Sequence, residues 1–136
     1  MLLNKLFSII LFSLLSLNVF AAKDWNIINK EGKYLLESPN GVLFQLDYTG
    51  IAKFEKAYQK GNYNIIEYYA GEMGTSNILK VHNRVIIDEK EKRVILVAPY
   101  KYSGEPKQDQ PKWNFNLKKK KVKVIDPYGV DINKDL

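Results

Sequence analysis

Hydrophobic and polar positions alternate most clearly between Asn77 and Tyr102, where the chain reads NILKVHNRVIIDEKEKRVILVAPYKY. Apolar residues at odd positions from Leu79 to Ile87 predict a half-buried antiparallel strand, because successive side chains of a strand point to opposite faces. A charged turn follows, and Val94–Ala98 is then apolar at both parities and rich in β-branched residues. We therefore expect Val94–Ala98 to be a central strand with both faces covered.

Further predicted strands are short and are separated by turn residues. They cover residues 25–28, 34–37, 42–46 and 62–69. The turn SPNG at 38–41 combines a proline that presets φ with a glycine that accepts the left-handed region, so it is expected to close a hairpin. Val42, Phe44 and Leu46 should face the core. Segments 70–76 and 103–111 are predicted to be loops.

The period of the pattern changes between Thr49 and Gly61. The apolar positions there are Ile51, Phe54, Ala57 and Tyr58, with lysine, glutamate and glutamine between them. Spacings of three and four residues predict an amphipathic helix of about three turns, which Asp47 or Thr49 can cap and Gly61 can close. We expect Phe54 to pack this helix against the sheet.

The C-terminal pattern predicts a second hairpin. Apolar residues occupy odd positions in Trp113–Leu117 but even positions at Val122 and Val124. A flat strand cannot change faces in this way, so Lys118–Lys121 must form a turn or a bulge, and we favour the turn. The tail from about residue 127 is expected to be frayed.

These elements predict an α+β protein, in which a twisted antiparallel sheet of meander-like hairpins packs against one amphipathic helix. The alternative is an all-β barrel or sandwich with the helix at one end. Residues 23–136 have a length that suits a single domain.

Residues 1–22 have the features of a cleaved signal peptide. Lys5 is their only charge, an apolar run follows it, and Ala21 provides the small residue that a signal peptidase needs. The run is shorter than the roughly 20 apolar residues of a membrane span. We therefore expect a soluble periplasmic or secreted product with no integral membrane segment.

Composition excludes several kinds of chemistry. The chain has no cysteine, so disulfides, thiol nucleophiles and cysteine-based metal sites are absent. Residues 23–136 contain 20 Lys and Arg against 15 Asp and Glu, a charge of +5, but Arg84 and Arg93 are the only arginines. Because bidentate recognition of phosphates and bases favours arginine, we do not expect a nucleic-acid partner.

Catalytic and metal-binding candidates are few. His82, the only histidine, lies among polar positions of its strand and is expected to be solvated. Glu67 is the one acid in an apolar strand and would become a candidate if its carboxyl group were enclosed. No nucleophile elbow, phosphate loop, calcium loop or zinc spacing occurs. We therefore predict no catalytic residues, no metal site and no cofactor.

Two sets of residues are candidates for partner binding. The aromatic set is Tyr68, Tyr69, Tyr100, Tyr102 and Trp113. The basic set is Lys118, Lys119, Lys120, Lys121 and Lys123. Aromatic residues with a polar tip are favoured in interfaces, and clustered lysines attract anionic partners. The aromatic set could equally form the rim of a small core, and the basic set a solvated turn.

The sequence therefore suggests an exported binding protein that is not an enzyme. The first interpretation is an inhibitor or immunity-type protein whose partner is a hydrolytic enzyme, because small exported domains without catalytic residues are commonly binders. The alternative is a protein that binds an anionic envelope polymer through the lysine-rich hairpin. A small carboxylate-based hydrolase is a third interpretation.

Overall fold

The computed structural model describes residues 24–46, 50–74 and 78–136. All regular secondary structure in these ranges is β-strand. The strands are β1 Asn26–Lys30, β2 Lys33–Glu37, β3 Leu43–Gln45, β4 Lys53–Lys60, β5 Tyr63–Met73, β6 Leu79–Asp88, β7 Arg93–Ser103, β8 Lys112–Asn116, β9 Lys121–Ile125 and β10 Ile132–Asp135. They form three antiparallel sheets, ordered β1-β2-β3, β4-β5-β6-β7 and β10-β9-β8. The α+β prediction is therefore wrong, and the all-β sandwich alternative fits without its helix. The predicted signal peptide lies outside the described residues.

The four-stranded sheet is the middle layer of the protein. Ile66 and Tyr68 on one of its faces belong to a buried cluster with Leu36 and Phe44 of the first sheet. The other face contributes a second cluster, in which Ile65, Ile86 and Leu96 pack with Val122 and Val124 of β9. Since both faces are covered, strands of the middle sheet need apolar residues at both parities.

The hairpin predicted between Asn77 and Tyr102 is present as β6 and β7. The turn between them lies at Glu89–Lys92, where the amide of Lys92 donates to the carbonyl of Glu89. The prediction that Val94–Ala98 is central is wrong, because β7 forms the edge of its sheet. Its sequence resembles that of a central strand because its two faces are covered by different layers. β5 and β6 are the inner strands.

Within the predicted helix at Thr49–Gly61, residues Lys53–Lys60 form the edge strand β4 instead, and the proposed cap lies outside the described residues. The pairing register shifts between Phe54 and Lys56, so Glu55 is an extra residue in a β-bulge. Phe54 pairs with Tyr68 and Ala57 pairs with Ile66, which places two residues three apart on one face. The bulge thus produces the spacing that resembles a helix. Phe54 does not pack a helix on the sheet, since 40% of its surface is exposed.

The predicted turn at 38–41 joins β2 to β3. The amide of Gly41 donates to the carbonyl of Ser38, and the Ser38 hydroxyl accepts from the amide of Val42. Phe44 and Leu46 are buried and Val42 is half-buried, as expected. The loop predicted at 70–76 is wrong for residues 70–73, because β5 continues to Met73, and residues 75–76 lie outside the described ranges.

The C-terminal segment forms a three-stranded sheet rather than a hairpin with a frayed tail. Lys118–Lys120 lie in the predicted turn, and Lys121 begins β9 opposite Asn116. The tail forms β10, which pairs Ile132 with Val124. This pairing was not predicted because residues 130–135 contain little apolar alternation. The strand forms instead through its backbone hydrogen bonds to β9.

Candidate functional site

The lysine-rich hairpin is exposed but fixed in position. Lys118–Lys121 and Lys123 are all exposed. Val122, which lies between Lys121 and Lys123, and Val124, which follows Lys123, are buried. The Asn116 side chain accepts from the amide of Lys119, and the carbonyl of Lys120 accepts from the amide of Leu136. The charged side chains therefore extend from a turn whose backbone is held at both ends.

The outward face of this sheet arranges lysine, asparagine and one aspartate in rows across the strands. Asn114, Lys123 and Asn133 are directly opposite one another, and so are Asn116, Lys121 and Asp135. Residues directly opposite in antiparallel strands project from the same face. We call Lys118–Lys121, Lys123 and the three asparagines of these rows the basic face. Most of its side chains line an open concavity of about 660 Å³.

The Phe115 ring connects this sheet to the middle layer. The Lys60 ammonium nitrogen lies 4.1 Å from the centroid of the Phe115 ring, a distance typical of a cation–π contact. Leu117 lies against Gly61, where an added Cβ would approach within 3.3 Å of the leucine side chain. These contacts fix the orientation of the hairpin relative to the β4–β5 turn.

The aromatic set is mostly structural. Tyr68 is fully buried, and Tyr102 is 3% exposed with its hydroxyl donated to Asp126. Tyr69, Tyr100 and Trp113 are half-buried. The Trp113 indole nitrogen donates to the carbonyl of Pro99 at 2.8 Å. Buried tyrosines cannot anchor a partner, so Tyr68 and Tyr102 are unsuitable as interface residues.

Tyr100 and Trp113 instead enclose a charged side chain. The Arg84 Cζ atom lies 4.8 Å from the ring centroids of both. Arg84 donates from Nε and Nη2 to the Oε2 atom of Glu67, at 2.9 and 2.6 Å, and the Tyr58 hydroxyl donates to the same oxygen at 3.3 Å. Burial, more than any other cause, raises the pKa of Tyr58.

Glu67 is enclosed, which is the condition under which the sequence made it a candidate. It is 6% exposed. Its carboxylate is paired with the Arg84 guanidinium, so its surroundings are those of a structural ion pair rather than of a free acid or base. The carboxylate-based hydrolase has no support from Glu67.

His82 is not solvated, contrary to the expectation from the sequence. Its side chain is 12% exposed, and both ring nitrogens have partners. Nδ1 lies 2.9 Å from Oε1 of Glu55, and Nε2 lies 2.9 Å from the hydroxyl oxygen of Ser103. The Tyr100 hydroxyl also donates to Glu55, at 3.3 Å. Glu55 and Ser103 were not predicted from the sequence as partners of His82, because both lie on other strands. Glu55 reaches His82 only through the bulge in β4.

A cleft of about 530 Å³ lies beside the exposed edge strand β4. Trp25, Phe54 and Tyr58 line it together with polar side chains, among them Asn64 and Glu89. The Glu89 carboxylate accepts from the side-chain amide of Asn64 at 3.1 Å, which fixes one wall. This cleft could not be predicted from the sequence, because its residues come from five separate stretches of the chain.

Metal and membrane features are limited in the described ranges. Within residues 24–46, 50–74 and 78–136, no three histidine or acidic side chains come together as a metal site would require. The same residues include no helix with the length and hydrophobicity of a membrane span. Comparison of the chain with family models, curated proteins and solved structures gave no significant match.

Proposed function

We propose that this chain is an exported binding protein that holds an anionic polymer of the cell envelope against the basic face. One observation carries the proposal: Lys118–Lys121 and Lys123 are exposed on a hairpin whose backbone is fixed by hydrogen bonds. A fixed backbone beneath the lysines lowers the ordering cost of binding relative to a flexible tail. The leader-like sequence of residues 1–22 supports export.

The chemistry of the basic face suits repeated negative charges. Lys121 and Lys123 are two residues apart on one face of β9, so their Cα atoms are about 6.5–7 Å apart along the strand. Lysine acts as a point charge toward phosphate or carboxylate groups. Asparagine amides in the same rows can both donate to and accept from hydroxyl groups. A phosphorylated or carboxylated polysaccharide offers both kinds of group.

The test measures binding of the purified protein to lipopolysaccharide at several salt concentrations. Exposed charges are screened over about 10 Å at 0.1 M salt, so affinity should fall steeply as salt is added. Replacing Lys118–Lys121 by serine should weaken binding at low salt by at least about tenfold. A control variant replaces by serine four lysines that are exposed outside the C-terminal sheet, namely Lys30, Lys33, Lys53 and Lys90. It should bind within about twofold of the native protein.

Equal losses in the two variants would show that only net charge matters and would contradict a defined site. Binding that is insensitive to salt and to the serine substitutions would also contradict it. In that case the lysine turn is only a solvated connection.

A second candidate function is inhibition of a hydrolytic enzyme, and the cleft beside β4 favours it. Phe54 and Trp25 offer exposed or half-exposed aromatic surface, the kind of residue that dominates protein interfaces. A pull-down from envelope extract distinguishes the two functions. An enzyme captured by the native protein and the serine variant, but lost with Phe54→Ala, would support inhibition and reject the polymer proposal.

A further inference from the structure

We propose that Ser103, His82 and Glu55 form a nucleophilic centre that hydrolyses carboxylic esters. The three side chains come from β7, β6 and β4 and make a continuous hydrogen-bonded chain. An acid on one imidazole nitrogen and a hydroxyl on the other is the connectivity by which a histidine activates a serine. This activity is separate from the binding function proposed above.

The polarity of the chain follows from its chemistry. An ionised carboxylate can only accept, so the neutral His82 ring carries its proton on Nδ1 and donates it to Glu55. The unprotonated Nε2 is then the acceptor for the Ser103 hydroxyl at 2.9 Å. This tautomer places a base directly on the nucleophile, within the distance that proton transfer requires.

The bulge in β4 makes the arrangement possible. β4 pairs only with β5, so a regular strand would keep its side chains one strand away from β6. Glu55 is the extra residue of the bulge, and its carboxylate reaches both His82 on β6 and Tyr100 on β7. Bulges are frequent beside active sites because they redirect a side chain in this way.

Two further features lie beside Ser103. Lys80 is the direct partner of Ser103 in the β6–β7 register, so its side chain leaves the same face. An ammonium group that reached Ser103 would favour the negative oxygen that forms when a hydroxyl adds to a carbonyl. Gly104 follows the serine at φ +147°, and an added Cβ would lie 2.7 Å from the Ile78 carbonyl oxygen. Only glycine fits beside the nucleophile.

The reaction has two balanced steps. Ser103 Oγ bonds to the ester carbonyl carbon while its proton moves to His82 Nε2. The ester C–O bond then breaks, and the alcohol leaves with that proton. In the second step a water molecule adds to the acyl-serine and gives a proton to His82. Ser103 recovers that proton as the carboxylic acid leaves, so ester and water become acid and alcohol.

The experiment treats the purified protein with a biotinylated fluorophosphonate, which phosphonylates activated serines, and maps the adduct by mass spectrometry. We expect the label on Ser103 and none in Ser103→Ala. His82→Gln should slow labelling by at least about 100-fold, the contribution expected of a general base. Glu55→Gln should slow it as well. Tyr128→Phe, which removes a hydroxyl bonded to Gln108 and to the amide of Asp109 and not to this centre, should leave the rate unchanged.

Hydrolysis of 4-nitrophenyl acetate gives a second measurement, and its rate should follow the labelling rate across the variants. Thermal unfolding of each variant establishes that it is folded. The result for the native protein can overturn the proposal by itself. If Ser103 stays unlabelled under conditions that label a known serine hydrolase, its hydroxyl is not activated. A labelling rate that is the same in folded His82→Gln would overturn it as well.

Discussion

Arg84 and Glu67 lie directly opposite each other on β6 and β5, and two guanidinium nitrogens of Arg84 donate to one carboxylate oxygen of Glu67. The pair is nearly enclosed, with side-chain exposures of 17% and 8%. Tyr100 and Trp113 lie over the guanidinium, so the ion pair connects the middle sheet to the C-terminal sheet.

Removing one partner of this pair should destabilise the protein strongly. Arg84→Met leaves the Glu67 carboxylate enclosed without its cation, which typically costs about 3–5 kcal/mol. The exposed Arg93 provides a matched control, since Arg93→Met should change the free energy of unfolding by no more than about 0.5 kcal/mol. Urea denaturation measures both. A double variant with Glu67→Met should recover part of the loss, and equal effects of the two arginine substitutions would contradict this account.

Leu96 and Phe54 should differ widely when each is truncated to alanine. Leu96 is 9% exposed within the second buried cluster, so Leu96→Ala should cost about 2–5 kcal/mol. Phe54 is 40% exposed, and Phe54→Ala should cost less than about 1 kcal/mol. The comparison uses free energies of unfolding in urea. A large loss at Phe54 would mean that β4 is packed more deeply than the structure shows.

Alkaline pH should destabilise the protein through Tyr102. Burial raises the pKa of this tyrosine above its ordinary value of about 10, and its hydrogen bond to Asp126 raises the pKa further. The folded state therefore keeps a proton that the unfolded chain releases. This contribution to stability is complete below about pH 10 and is lost as the pH rises toward the folded-state pKa.

Tyr102→Phe tests this linkage. The variant should lose about 1.5–3 kcal/mol at neutral pH, the range for a hydrogen bond to a charged group. Its stability should then fall less steeply than that of the native protein between about pH 9.5 and 11. Some fall should remain, because burial also raises the pKa of Tyr100 and Tyr58. Parallel pH profiles for the two proteins would rule out Tyr102 as the source.

The last strand should contribute measurably to stability. Ile132 is half-buried against the second cluster and pairs with Val124, so Ile132→Ala should cost about 1–2 kcal/mol. Val130 is 83% exposed, and Val130→Ala should change stability by less than about 0.5 kcal/mol. Thermal unfolding followed by circular dichroism compares them. If both substitutions are silent, β10 does not hold the C-terminal sheet together.

Local patterns predicted the hairpins well and the arrangement of layers poorly. The turn at 38–41 and the lysine turn carry their own signals, a proline with a glycine in one and a change of parity in the other. The spacing of Phe54 and Ala57 predicted a helix because a one-residue bulge shifts the parity of a strand. Nothing in the local sequence reveals this bulge, because it depends on the pairing of Phe54 with Tyr68, which lies 14 positions away.

The candidate sites show the same division. Lys118–Lys121 were predicted to form an exposed turn, because a charged run between two apolar parities has no other place in a sheet. The contacts of His82 could not be predicted, since Glu55 and Ser103 are 27 and 21 positions from it and lie on other strands. Residue type alone makes Tyr68 and Tyr102 interface candidates, and residue type does not determine whether a tyrosine faces a partner or the core.

The three layers follow one another along the chain, so the middle sheet is complete before its second cover exists. During synthesis from the N-terminus, Ile65, Ile86 and Leu96 would be exposed to water until residues 112–136 are made and bury them. Exposed apolar strands with free edges are prone to associate with other chains. The C-terminal sheet therefore covers the last exposed apolar face as the protein assembles. A chain shortened before β8 should aggregate rather than fold into a smaller protein.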